Sequence, residues 1–75
     1  MEEAVETYAK ALKGYREFDD WYETGRALSN LALAHQQAAR PAEARTHYLQ
    51  SAAAFTRANA PTEAALAQSH ADALT

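Results

Sequence analysis

The chain has 75 residues, 20 of them alanine, with 7 leucines, 1 valine, no isoleucine and no cysteine, a balance that leaves almost no material for a β domain. Only 16 side chains (Leu, Val, Met, Phe, Tyr, Trp) are large and apolar, so the expected core is thin, and no disulfide, thiol ligand or thiol nucleophile is available to supplement it. Ten acids against seven scattered cations give a net charge of −3, which speaks against a nucleic-acid partner.

The longest runs without a polar side chain, Leu31-Ala32-Leu33-Ala34 and Ala52-Ala53-Ala54-Phe55 among them, are four residues each, against the ~20 needed to span a bilayer. No membrane association is expected. Met1-Glu2-Glu3 is acidic where a signal peptide needs a basic start, so the expected location is cytoplasmic.

The first predicted helix covers 2–18. Val5, Tyr8, Leu12 and Tyr15 fall at steps of three and four, and Ala4, Ala11 and Phe18 widen that stripe. Gly14 costs about 1 kcal/mol relative to alanine, while the acidic start suits the positive end of the helix dipole. A break follows at Asp19-Asp20-Trp21-Tyr22-Glu23. There Asp20 is expected to cap the Glu23 N–H, with the Glu23 side chain reaching back.

The second helix is predicted over 21–38. Trp21, Leu28 and His35, interleaved with Thr24, Leu31 and Ala38, make one mostly apolar seam. Arg40-Pro41 ends it, because proline disfavours helical geometry before it and fits the first position of the next helix. The third helix, 42–57 with Pro41 leading in, turns Ala44, Tyr48, Ser51, Ala52 and Phe55 inward. Asn59-Ala60-Pro61 repeats the break, and a fourth helix covers 61–74 with Ala64, Ala67, Ala71 and Leu74 on one side. A seam made nearly all of alanine buries little area and makes the fourth helix the weakest packer.

A shift of 40 residues aligns Glu3-Ala4 with Glu43-Ala44, Tyr8 with Tyr48, Tyr15 with Phe55, Glu23 with Glu63, Ala27 with Ala67 and Ser29 with Ser69. The alanine-rich composition alone supplies much of that agreement. The placement carries more weight, because Asp20-Trp21 falls on Ala60-Pro61 and the first two helices map onto the last two.

In this phase the residues resemble the tetratricopeptide repeats. That family's second helix carries a small residue, an aromatic four later and a small residue three after that, as in Ala4, Tyr8, Ala11 and in Ala44, Tyr48, Ser51. Leu28, Leu31, Ala32 and His35 stand at the signature positions of its first helix. The stretch from Ala27 to His35 is similar to the 40-residue variety found in bacterial regulators. Leu28 replaces the usual aromatic, His35 the usual tyrosine, and Ala39-Arg40-Pro41 lacks the usual turn glycine. The resemblance implies an all-α fold of antiparallel helix-turn-helix repeats, a four-helix fragment of an α-solenoid forming one unit over 1–75. Its parts would be the second helix of one repeat at 2–18, a full repeat at 21–57 and the first helix of another at 61–74.

The same resemblance points to the side of the second helix that the core does not need: Tyr22, Arg26, Ser29, Asn30, Leu33, Gln36 and Gln37. These positions are similar to the family's concave, peptide-contacting surface. His70 in the fourth helix is the equivalent of Asn30, and Ser69 of Ser29. An amide such as Asn30 can both donate to and accept from a peptide backbone. The other reading of this side is a solvated helix face. Leu33 favours contact, as a large apolar residue among polar ones. Of the two adjacent aromatics, Trp21 lies on the seam and is expected in the core, whereas Tyr22 points elsewhere and reads as an interface residue.

Catalytic readings find little support. Glu43 and His47 could share a metal ion, but no third ligand accompanies them, and His35, His47 and His70 fall on three different helices. With only Gly14 and Gly25 there is no phosphate loop, and no serine sits in a strained elbow. No catalytic residue, metal or cofactor is expected. The leading function is a non-catalytic module that binds a protein or peptide, as part of a larger regulatory or scaffold protein. The alternative is a structural domain that self-associates as a homodimer, because the first and last helices each lack a repeat partner. An enzyme or small-molecule binder would need a polar pocket that alanine-rich seams leave little room for.

Overall fold

The chain forms four helices, α1 (Glu2–Glu17), α2 (Trp21–Gln37), α3 (Pro41–Arg57) and α4 (Pro61–Asp72), with no strand among the described residues. The structure is a computed structural model that describes residues 2–74, with side chains from Val5 onward. Met1 and Thr75 of the expected 1–75 unit, and the side chains of Glu2, Glu3 and Ala4, lie outside the described residues.

Helix starts at 21, 41 and 61 show that the turn itself repeats every twenty residues, within the 40-residue period of the helix pairs. At each turn one residue enters the left-handed region: Asp19 at φ 54°, Ala39 at 59° and Asn59 at 59°. The backbone N–H of the following residue then bonds five residues back, Asp20 to Tyr15 at 2.8 Å, Arg40 to His35 at 2.8 Å and Ala60 to Phe55 at 2.9 Å. This is the Schellman arrangement, which satisfies carbonyls that a helix end otherwise leaves open. Proline at the first position of α3 and α4 starts the next helix without sacrificing a needed donor.

At the head of α2 the Asp20 carboxylate accepts from the Glu23 N–H at 3.3 Å, and the Thr24 hydroxyl donates to the Asp20 carbonyl at 2.8 Å. The expected return half of the capping box does not form. The Glu23 carboxylate instead pairs with Arg26 one turn on, at 3.1 Å, where a charge-assisted contact is available.

Packing proceeds in chain order, α1 on α2, α2 on α3 and α3 on α4. The Cα atoms fill a slab of 30 × 26 × 12 Å. Leu12, Ala27, Leu28, Leu31 and Ala54 make one core cluster, with Val5, Tyr8, Tyr15 and Trp21 packed against it. A second cluster places Tyr48 among Ala32, Ala44 and Ala71, and a third places Phe55 between Ala52 and Ala67. Two aromatic rings of α3 thus fill hollows lined by alanine, which lets α4 approach closely despite its small side chains. Helix α2 buries more than its predicted seam, adding Gly25, Ala27, Ala32 and Ala34, because neighbours cover two of its sides.

Phe18, expected on the α1 stripe, is 84% exposed. The helix ends at Glu17 and the chain reverses through Asp19, so the Phe18 side chain leaves the helical register that would have turned it inward. The helices also close one or two residues before the predicted ends at 18, 38 and 74. Leu74 nonetheless packs against the Tyr48 cluster from the final turn.

Candidate functional site

Alternation of the helices puts α2 and α4 on one face of the slab with α3 behind them. A groove of about 360 Å3 opens between them. Arg26, Ser29, Asn30 and Leu33 line it from α2, and Glu63, Leu66, Ala67 and His70 from α4. Its floor is formed by Tyr48 and Phe55, the same rings that hold α4 to α3. Volume and mixed lining fall in the range of ligand-binding clefts.

Several polar groups here are fixed by internal bonds. The Ser29 and Ser51 hydroxyls are 2.6 Å apart, and buried Ser51 also donates to the Gly25 carbonyl at 2.7 Å. The Tyr48 hydroxyl donates to the Gln36 side-chain oxygen at 3.2 Å, and its ring stacks on His70 with centroids 5.1 Å apart. Burial pushes the Tyr48 phenol up from its ordinary range, since the charged form would lose its water. At one end Tyr22 meets Phe55 edge-on at 5.4 Å and donates its hydroxyl to Glu63 at 2.9 Å. The hydrogen bond to that carboxylate, followed by its negative charge, raises the Tyr22 phenol.

Of the residues singled out from sequence, Arg26, Ser29, Asn30, Leu33 and His70 come together in the groove. Tyr22 closes its end by bridging α2 to α4, whereas Gln36 and Gln37 are exposed on α2 outside the lining. The sequence pattern does not single out Glu63, Leu66, Ala67, Tyr48 or Phe55 for the groove. Tyr48, Phe55 and Ala67 read as core from their spacing, and one residue can both fill a core and line a groove. Leu66 carried a readable signal, being the one large apolar residue in α4 away from its alanine seam; it is 60% exposed.

Two of the three histidines meet although they lie on different helices. His35 and His47 stack with ring centroids 5.0 Å apart, while His70 lies on Tyr48. Among the described residues no group of three or more side chains is arranged to hold a metal ion.

Helices stacked mainly on their chain neighbours through a recurring turn, with a groove between alternate members, define an α-helical repeat protein. The chain belongs to the tetratricopeptide repeat family, whose model matches residues 1–57. Helix α4 follows the matched stretch and continues its geometry. Comparison with curated proteins and with solved structures returned no match. Among the described residues no helix is long and apolar enough to cross a membrane.

Proposed function

We propose that the chain is a non-catalytic module of a larger regulatory or scaffold protein, and that a peptide segment of a partner lies in the groove between α2 and α4. Family membership supports a role in protein interaction. The observation that carries the groove assignment is the placement of Leu33 and Leu66. They are 46% and 60% exposed, and both line the cleft that also presents the Asn30 amide. Apolar side chains kept in water beside an amide able to pair with a backbone suit a bound peptide: Leu33 and Leu66 supply contact area, and Asn30 supplies orientation.

Homodimerisation has less behind it. The α4 side away from α3 exposes Ala65, Gln68, Ser69 and Asp72, with Gln68 donating to Asp72 at 3.0 Å, a surface with little apolar area for a second copy to cover.

A displayed random-peptide library selected on the full chain tests the reading. Recovered peptides are expected to lose binding to Leu66→Ser and to Asn30→Ala while both variants keep their helical circular dichroism. Peptides that bind these variants as well as the native chain would place the site elsewhere.

A further inference from the structure

We propose that a second groove, on the opposite face, docks an acidic segment of a partner protein. It runs between α1 and α3 with α2 behind, over a floor of Leu12, Leu28 and Leu31, and continues past Trp21 and Ala54. The two stretches, about 580 and 330 Å3, share Arg16, Leu28 and Gln50, so they adjoin and line up as a channel along this face. Along α3 the wall runs from His47 to Arg57, roughly 15 Å at the helical rise, room for about four or five extended residues.

The rim decides what fits. Lys13 and Arg16 stand over the channel from α1 and Arg57 from α3, and Glu17 is the one carboxylate among its lining residues. Among the described residues these three cations make no ion pair, whereas Arg26 on the other face is tied to Glu23. In a chain of net charge −3, three of the seven cations gather at one channel with no ion pair among the described residues. A positive channel on an acidic molecule attracts acidic partners and rejects basic ones.

Arg57 is also held in place. Its guanidinium lies 4.5 Å from the centre of the Trp21 ring, which positions the planar fork for a carboxylate. The leucine floor is nearly closed to solvent, so the channel offers charge rather than apolar area. An extended acidic segment uses that; an apolar helix does not. Three cations are few for tracking a nucleic-acid backbone, whose affinity grows with the number of phosphates neutralised.

Trp21 is the only tryptophan, so its emission reports occupancy directly. The full chain is titrated with a short glutamate-rich peptide, its glutamine counterpart and a single-stranded DNA oligonucleotide of equal charge. The glutamate peptide is expected to change the emission saturably and to weaken with added salt, and the glutamine counterpart to leave it unaltered. The double variant Lys13→Gln/Arg16→Gln, both exposed positions, should bind roughly tenfold more weakly with unchanged helical content. Glu17→Gln should bind more tightly, and Leu66→Ser in the other groove should make no difference. No saturable response to the glutamate peptide, equal affinity in the double variant, or tighter binding of the oligonucleotide would each overturn the proposal.

Discussion

Gly25 and Phe55 meet face to ring: a Cβ added to Gly25 would lie 2.8 Å from Cδ1 of Phe55 and 2.9 Å from Cε1 and Cγ. The contact includes the root of the ring, so Phe55 cannot yield by swinging its far end. Its other surroundings, Tyr22 edge-on and the buried Ala67, restrict it further. Gly25→Ala is therefore expected to lose about 1–3 kcal/mol through overpacking, although alanine is intrinsically the better helix former by ~1 kcal/mol. Gly14 has nothing within 4 Å of its would-be Cβ, and Gly14→Ala should gain about 1 kcal/mol. Urea denaturation of the two variants checks the opposite signs, and a Gly25→Ala chain as stable as the native one contradicts the packing argument.

The three turns offer a graded test of backbone strain. Ala39 holds φ 59° without the local side-chain hydrogen bonding that eases asparagine and aspartate into this region. Ala39→Gly should stabilise by about 0.5–1 kcal/mol, once the greater freedom of unfolded glycine is subtracted. The same change at Asn59 should gain less. Equal gains at the two positions in thermal melts would show that side-chain chemistry does not matter there.

Leu28 and Asn30 are two residues apart yet lie in different surroundings. Leu28 is 2% exposed within the first core cluster, and Leu28→Ala should cost about 2–5 kcal/mol of stability. Asn30 is exposed on the groove, and Asn30→Ala should leave stability nearly unchanged while weakening a groove-bound peptide by about 1–3 kcal/mol. Calorimetric binding paired with denaturation separates the two, and an equal loss of folding and binding in Asn30→Ala would make that residue structural.

The Tyr22 bond to Glu63 ties stability to alkaline pH. The folded phenol titrates above its ordinary value near 10, because the Glu63 carboxylate accepts its proton in a hydrogen bond and repels the phenolate. The folded state therefore holds that proton more tightly than the unfolded one. The resulting stabilisation is complete below about pH 10 and is lost as pH rises through the higher folded value. In a spectrophotometric titration Tyr22→Phe should remove a late-titrating phenol, and Glu63→Gln should bring the Tyr22 titration earlier. A late phenol that survives in Tyr22→Phe unchanged would have to be assigned to Tyr48, which burial also raises.

Helix positions were legible from the chain alone because their signals are local. Asp20, Pro41 and Pro61 mark starts through backbone chemistry confined to one turn, and the spacing of Tyr48, Ser51, Ala52 and Phe55 defines an inward side whatever lies opposite. The side of α2 that the core leaves largely exposed is readable for the same reason, by subtracting a seam. What the seams meet was decided only by tertiary structure. Tyr22 reaches Glu63 across 41 positions, Phe55 closes on Gly25, and His35 stacks on His47, because the crossing of packed helices determines these encounters and periodicity carries no record of it. Glu23 turned to Arg26 instead of its cap, and Phe18 swung into water, where two local tendencies competed and the completed turn selected one. Both grooves arise in the same way, each from residues on three helices that share no local pattern.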